Sequence, residues 1–315
     1  MTNTHREFSL VSVFAITVFL LVFVGFALPA MALDSMLVTE GLLLWQAVVL
    51  GFVEGLTEFL PVSSTGHLLA VKDLMGIGQT EAAEKAIDSY IVSIQIGAIF
   101  AVVTLYKKRV FQIYHGLRGR DVDGQRIFRT LIVAFVPTAV IGLLLVEPVK
   151  NQLYGIDAIA FAWVVGGILI LLAHHKRWLR RTGLPIERLS LSGAALVGVA
   201  QAFALWPGVS RSLVTILALI AAGLSLGAAV EFSFLLGLVT LTAATVFELF
   251  KEGGNIIDYF GYGAPLMGLC VAFLSAIFSV KWMVNWLETK SFSVFGFYRI
   301  GIGALALVLM SIDIL

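Results

Sequence analysis

Long apolar stretches alternate with short polar or basic connections along this chain. A helix that spans a bilayer needs about 17 to 25 predominantly apolar residues. By that criterion, spanning helices are predicted at residues 8–28, 90–106, 130–147, 157–174, 228–250 and 263–280, with a last one that ends at 315. The pattern therefore predicts an all-α polytopic membrane protein with about six core spanning helices plus an N-terminal hydrophobic helix.

The first 37 residues are predicted to be a hydrophobic extension that stands apart from the rest. Ala30 and Ala32 form a small-residue pattern typical of signal-peptide cleavage. The apolar run at 8–28 is longer than the core of about 7 to 15 residues that a signal peptide needs. A cleaved signal peptide and an extra transmembrane helix are both open, and the length favours the helix. Residues 38–315 then form one membrane domain.

The charges of the connections predict two segments that enter and leave the membrane on one side. The connections at 107–129 and 176–188 are strongly basic, which places them in the cytoplasm by the positive-inside rule. Counting spans from these two points puts both ends of 41–75 outside and both ends of 190–224 inside. Each of these segments is therefore predicted to be a re-entrant helical hairpin, and the two enter from opposite faces.

A weak internal repeat supports this arrangement. Sliding the chain by 147 positions aligns Gly51 with Gly198 and Ser63 with Ser210, and it sets Glu54 against a glutamine. Inverted repeats with broken helices commonly place irregular backbone near the membrane midplane, where it lines a cavity. We therefore expect two inverted repeats, at about 41–174 and 190–315, whose hairpin tips meet.

Composition agrees with a membrane protein and narrows the function classes. Of the 315 residues, 59% are hydrophobic and only 13% are charged, which makes membrane lipids the main surroundings. The formal net charge of +1 argues against a nucleic-acid partner. The single cysteine, Cys270, permits neither an intramolecular disulfide nor a cysteine-based metal site.

The tip of the first hairpin carries an unusual density of polar groups. Glu54 and Glu58 are four residues apart, so on a helix they share a face. An ionised side chain at membrane depth costs about 2.5 to 3.5 kcal/mol, and two like charges cost more unless a cation joins them. Mg²⁺ or Ca²⁺ suits such oxygen ligands. His67 adds an acid/base group, and hydroxyls that could attack or bind phosphate follow: Ser63, Ser64 and Thr65.

The tip of the second hairpin carries groups that bind anions and so complement the acidic first tip. Pro207 and Gly208 break the helix, and a helix restarting near Ser210 aims its N-terminus at the tip. Arg211 is a planar donor matched to phosphate oxygens. Neighbouring hydroxyls extend the site: Ser210, Ser212 and Thr215. A metal, a base, hydroxyls and an arginine are the parts of a phosphoryl-transfer site. The alternative for Arg211 is a simple ion pair with Glu54 or Glu58.

Two motifs resemble those of a known family. Glu-Gly-Leu-Thr-Glu-Phe-Leu-Pro-Val-Ser-Ser-Thr-Gly-His at 54–67 and Leu-Trp-Pro-Gly-Val-Ser-Arg-Ser at 205–212 look like the signatures of the bacterial undecaprenyl-pyrophosphate phosphatase family, also known for bacitracin resistance. The resemblance covers roughly 38–315. It implies an inner-membrane enzyme that hydrolyses a C55 lipid diphosphate to the monophosphate for peptidoglycan synthesis. It also implies an active site open to the periplasmic face.

The resemblance also implies roles for single residues. Glu54 and Glu58 match metal-linked glutamates, Ser64 a proposed nucleophile, and Arg211 the phosphate-binding arginine. The expected catalytic residues are Glu58, Ser64, His67 and Arg211. The expected phosphate-binding residues are Ser63, Thr65, Ser210, Arg211, Ser212 and Thr215. The chain departs from the family pattern at Leu213-Val214, and at Ile91, where an acidic residue is usual.

Several alternatives stay open at this point. The attacking group is either Ser64 or a water molecule activated by His67. The expected substrate is a polyprenyl diphosphate lipid, and the protein is either a monomer or a homodimer. A transporter or flippase of a lipid phosphate could use the same midplane site, because such proteins also have opposed broken helices.

Overall fold

Twelve α-helices build the part of the chain that the structure, a computed structural model, describes: residues 41–179, 181–312 and 314. The helices are α1 Leu44–Thr57, α2 Ser64–Leu74, α3 Glu81–Ser93, α4 Gln95–Leu105, α5 Lys107–Leu117, α6 Val122–Leu153, α7 Ile156–His175, α8 Leu191–Gln201, α9 Arg211–Ala221, α10 Leu226–Phe260, α11 Gly263–Thr289 and α12 Ser293–Ser311. Two short 3₁₀ helices, Ile186–Arg188 and Ala202–Leu205, complete these elements. The predicted N-terminal extension lies outside the described residues.

Six segments of the described chain are long and apolar enough to cross a membrane. The first is α3 and α4 together, which are interrupted only at Ile94, and the others are α6, α7, α10, α11 and α12. The prediction of an all-α polytopic membrane protein with about six core spans is confirmed. Long apolar side chains stay exposed on these helices, as expected for surfaces that face lipid tails.

The two segments predicted as hairpins are each a pair of short helices with a break between them. The pair α1 and α2 is broken at 58–63, and the pair α8 and α9 is broken at 202–210 by the second 3₁₀ helix and a turn. At 1.5 Å per residue, helices of 11 to 14 residues are shorter than the hydrocarbon core of about 30 Å. Ser63 and Ser210 close the breaks with almost the same backbone angles, φ 74° and 71°.

Each broken pair packs against a spanning helix from the other half of the sequence. A methyl group at Gly51 in α1 would collide with the backbone of Gly268 in α11, and one at Gly198 in α8 would collide with the Ala134 carbonyl in α6. Small residues allow this close approach of membrane helices. The Ser275 hydroxyl donates to the Gly51 carbonyl at 3.3 Å, so a polar side chain reinforces this contact.

Three connections that the hydropathy pattern predicts as loops are helical instead. α3 begins at Glu81, α5 occupies 107–117 within the basic connection, and α10 continues to Phe260. Lys, Arg and Glu are strong helix formers, so a polar stretch next to an apolar helix readily extends it. Hydropathy predicts where a helix leaves the membrane, whereas its hydrogen bonds continue into water.

An ion-pair cluster fixes the basic end of the helices. The Arg109 guanidinium in α5 donates to Glu231 Oε1 in α10 and to Glu187 Oε1, both at 2.7 Å. All three side chains are largely buried. The cluster joins α5 to the start of α10 on the side that the positive-inside rule places in the cytoplasm.

Candidate active site

The first break holds Glu58 between two partners. Helix geometry continues one residue past α1, because the Glu58 N–H donates to the Glu54 carbonyl at 2.9 Å. The Ser64 hydroxyl, at the start of α2, donates to Glu58 Oε2. The Arg211 guanidinium donates to Glu58 Oε1 at 2.6 Å. Glu58 thus contacts both the hydroxyl predicted as the nucleophile and the arginine predicted to bind phosphate.

Ser63 shapes the start of α2. Its side chain caps the helix by accepting from the Gly66 N–H at 3.4 Å, and its positive φ turns the chain sharply at this point. A non-glycine residue with positive φ costs about 1 to 3 kcal/mol, so the surrounding contacts must hold it there. The Trp163 indole N–H donates to the neighbouring Val62 carbonyl at 3.0 Å and supplies one of these contacts.

Arg211 is the first residue of α9 and bends back towards α10. Besides the bond to Glu58, it donates to the Ser233 carbonyl at 3.0 Å, while its Nε has no partner among the described residues. A Cβ at Gly237 would occupy the space that the guanidinium fills. Both alternatives for Arg211 are therefore compatible with the geometry, because the arginine pairs with Glu58 and still has a free donor.

The two tips are bonded directly to each other. The Gly208 N–H donates to Ser63 Oγ at 3.0 Å, and the Ser212 hydroxyl donates to the Leu60 carbonyl at 2.7 Å. With the pair of Glu58 and Arg211, this makes three links between segments that are 145 to 153 positions apart in sequence. The tips therefore meet, as the sequence predicts, and their polar groups form one site.

A cavity of about 510 Å³ opens from this site. Six of the predicted residues line it: Glu58, Ser63, Ser64, Thr65, Ser210 and Arg211. Its walls come mainly from the second half of α6 and the middle of α10, and most of these residues are apolar. Charged groups lie at its far end: Asp88, Glu147, Lys150, Glu248 and Lys251.

Four predicted residues lie behind the cavity wall rather than in it. Ser212 bonds to the first tip, and Thr215 donates to the Arg211 carbonyl at 2.9 Å. Glu54 is completely buried, and neither of its carboxylate oxygens has a partner in the described chain. His67 is also buried. The contacts of Ser212 and Thr215 suit a structural role better than phosphate binding.

Both ring nitrogens of His67 are engaged. Nδ1 donates to the Ser63 carbonyl at 2.6 Å, because a carbonyl can only accept. Nε2 then accepts from the Tyr298 hydroxyl at 2.8 Å in the neutral ring. No ring nitrogen is left to take a proton from Ser64 or from water. The base role of His67 stays a prediction that this arrangement does not favour.

Comparison with known proteins agrees with the motifs. Residues 47–305 match the model of the family described as Bacitracin resistance protein BacA, which covers most of the chain. The chain belongs to this family.

Curated relatives of this BacA-family chain carry enzyme names. An undecaprenyl-diphosphatase of Sorangium cellulosum is 43% identical over 84% of this chain and 85% of its own length. One of Aquifex aeolicus is 40% identical over 82% of this chain and 95% of its own length. Undecaprenyl-diphosphatase 2 of Rhodospirillum rubrum is 38% identical over 84% of this chain and 94% of its own length. These names do not support the transporter alternative.

The side chains of the site differ in how well they could act as ligands of the predicted divalent cation. Among the described residues, no cluster of three or more His, Cys, Asp or Glu side chains is placed to hold a metal ion. The two unpartnered oxygens of buried Glu54 are nonetheless an uncompensated acceptor pair, which a hard divalent cation would satisfy. Glu54 thus offers free oxygens to a cation, whereas both oxygens of Glu58 are bonded to Ser64 and Arg211, and the cation stays a prediction.

Sequence reasoning missed three residues that support the site. Tyr298 orients His67, Ser233 receives Arg211 through its carbonyl, and buried Arg299 bonds to both tips. A signal existed for Arg299, because an arginine inside an apolar span is a functional candidate by default. The contribution of Ser233 comes from its backbone and has no signature in the sequence.

We expect the ion pair between Glu58 and Arg211 to be strongly coupled. Both side chains are largely buried, so removing one partner leaves the other charge uncompensated and costs about 3 to 5 kcal/mol. Glu58→Gln and Arg211→Met should each lower the free energy of unfolding, and the double variant should lose less than the sum. Reversible unfolding in mixed micelles measures this.

The matched control is the exposed pair of Asp123 and Arg126. Asp123→Asn and Arg126→Met should each change the free energy of unfolding by less than about 1 kcal/mol. Equal losses of unfolding free energy at the two pairs would contradict strong coupling between Glu58 and Arg211. Additive losses at the buried pair would contradict it as well.

Proposed function

We propose that this BacA-family protein hydrolyses undecaprenyl diphosphate to undecaprenyl phosphate and phosphate. It is then a phosphoric-anhydride hydrolase that recycles the lipid carrier of peptidoglycan synthesis, and its activity confers bacitracin resistance. The observation that carries this proposal is the junction of Glu58, Ser64 and Arg211 at the base of a cavity with apolar walls. The named relatives support the same activity.

The cavity suits a lipid diphosphate. Its polar end offers hydroxyls and a guanidinium to phosphate oxygens, and its apolar wall offers Phe135, Leu143 and Phe247 to a prenyl chain. The N-termini of α2 and α9 both lie at the polar end, where helix dipoles favour an anion. A free diphosphate would leave the apolar wall without a partner.

The geometry supports Glu58 as the base. It already accepts the Ser64 hydroxyl proton as a hydrogen bond. Ser64 Oγ then attacks the terminal phosphorus, the proton passes to Glu58, and the bond from phosphorus to the bridging oxygen breaks, which releases undecaprenyl phosphate. Glu58 passes this proton to the departing phosphate oxygen and is a carboxylate again. Water next attacks the phosphoserine and gives a proton to Glu58, which returns it to Ser64 Oγ as the bond from phosphorus to Oγ breaks, so that phosphate leaves and Ser64 is regenerated. Arg211 binds the transferring phosphoryl group and stabilises its charge in both steps.

We also propose a cation requirement. Glu54 and Glu58 would hold Mg²⁺ or Ca²⁺, and such an ion neutralises diphosphate charge. The buried, unpartnered carboxylate of Glu54 supports this proposal. Tyr298 and His67 keep the Ser63 turn in place beside this pair.

The location is proposed as the inner membrane, with the site open to the periplasm. The cavity is lined by the part of α6 from Phe135 onwards and by the part of α10 from Thr240 onwards. Both parts lie away from the basic end of their helix. The short broken pairs α1–α2 and α8–α9 are proposed to be re-entrant, within the two inverted repeats predicted above. The homodimer stays a prediction, which light scattering of the purified protein checks.

Purified protein should release phosphate from undecaprenyl diphosphate, and Glu58→Gln and Arg211→Met should each lower kcat about 1,000-fold. EDTA should abolish the activity and Mg²⁺ or Ca²⁺ should restore it. Glu54→Gln should raise the cation concentration needed for half-maximal activity. Phosphate release is measured colorimetrically.

The control is Arg126→Met, whose side chain lies on the exposed basic side. It should keep wild-type activity. An inactive wild-type protein with bound substrate would refute hydrolysis, and full activity in EDTA would refute the cation.

Rapid quench with labelled substrate should trap a phosphoserine at Ser64. Ser64→Ala should form no intermediate and lose activity about 1,000-fold, because the Glu58 base loses the hydroxyl that it activates. A fully active Ser64→Ala variant would exclude the serine nucleophile and leave attack by water.

Cysteine labelling should map the hairpins. In a Cys270→Ser background, a membrane-impermeant maleimide should label Gly41→Cys and Gln79→Cys from outside intact cells, because both ends of the first pair face that side. Ser192→Cys and Ala221→Cys should react only after the cells are opened. Labelling of the two ends of one pair from opposite sides would contradict a re-entrant hairpin.

A further inference from the structure

One arginine of the last spanning helix lies between the two tips. Arg299 in α12 is 0% exposed. Its guanidinium donates to the carbonyls of Pro61 at 3.2 Å, Gly208 at 2.7 Å and Ala162 at 2.9 Å. A single side chain thus joins the first tip, the second tip and α7.

The two tip carbonyls occupy equivalent places. Pro61 and Gly208 are 147 positions apart, which is the offset of the internal repeat. Pro61 lies three residues before Ser64, and Gly208 lies three residues before Arg211. Arg299 therefore holds each break at the same distance along the chain from its functional side chain.

The environment of Arg299 is costly to maintain. A buried cation at membrane depth is rare unless it has a use. All the hydrogen bonds of this guanidinium go to backbone carbonyls, and its Nε has no partner in the described chain. A Cβ at Gly166 in α7 would occupy the guanidinium position, so the neighbouring helix leaves a slot for it.

We propose that Arg299 is a positioning residue that sets the distance between Ser64 with its Glu58 base and Arg211. Its planar fork carries donors on two separate nitrogens and so reaches carbonyls of three segments at once, whereas a lysine offers a single point charge. It does not line the cavity, so it acts through the tips rather than on the substrate. This proposal rests on the proposed phosphatase function.

The test is the steady-state kinetics of Arg299→Met with undecaprenyl diphosphate. Loss of the fork lets the half-sites separate, so kcat should fall about 100-fold, the effect of roughly 1 Å of misplacement. KM should stay within about threefold, because the prenyl chain still binds the cavity walls. The kcat of Arg299→Lys should lie between those of the wild type and of Arg299→Met, because one ammonium keeps only part of the contacts.

The matched control is Arg109→Met, which removes a partly buried arginine whose ion pairs go to Glu187 and Glu231 rather than to the tips. It should lower the thermal unfolding temperature and leave kcat within about twofold, because a structural loss does not move the tips. A similar fall in kcat for both variants would refute the positioning role.

A second pair of variants keeps the charge. Gly166→Ala pushes the guanidinium aside and should lower kcat about tenfold or more at unchanged KM. Gly301→Ala, an open position on α12, should have no effect. If Arg299→Met does not fold, this pair decides. Wild-type kcat in Gly166→Ala or Arg299→Met refutes the proposal, whereas an inactive wild-type protein refutes the phosphatase function itself.

Discussion

The ion pair between Glu58 and Arg211 is the interaction on which the rest of the site depends. Two charges within an apolar bundle are tolerated because each neutralises the other across the junction of two broken helices. Ser64 adds a hydroxyl to one member and the Ser233 carbonyl receives the other. Nε of Arg211 is buried without a partner in the described chain, while the guanidinium lines the cavity beside the two tips.

The same junction explains why strained backbone survives in this protein. Ser63 and Ser210 both adopt positive φ, and each caps the helix that follows it. Such turns aim helix N-termini at one point and expose backbone donors to a ligand. Bonds between the tips, such as Gly208 N–H to Ser63 Oγ, hold the turns in place. Strain, capping and anion binding are therefore parts of one arrangement.

The sequence carried most of the fold and about half of the site. Apolar runs predicted the six spans, because bilayer thickness sets the length of a spanning helix, and the charges of the connections predicted their orientation. The span count and the internal repeat predicted that the two tips, which carry Glu58, Ser64 and Arg211, would meet. The base role of His67 stays a prediction, and the partner that bears on it, Tyr298, is 231 positions away in sequence, beyond the reach of motif spacing. The hydropathy pattern did not predict the helical extensions of α3, α5 and α10, because hydropathy measures exposure to lipid and not hydrogen bonding.

The exchange of packing partners between the halves bears on how the protein is made. α1 rests on α11 through Gly51 and Gly268, so the first broken pair, although it contacts α7 through Trp163, lacks this neighbour until α11 has been synthesised and inserted. Closing so long a loop is entropically slow. Newly inserted Glu54 must wait beside lipid or water for its enclosure. Assembly of the catalytic centre is thus a late step of biogenesis.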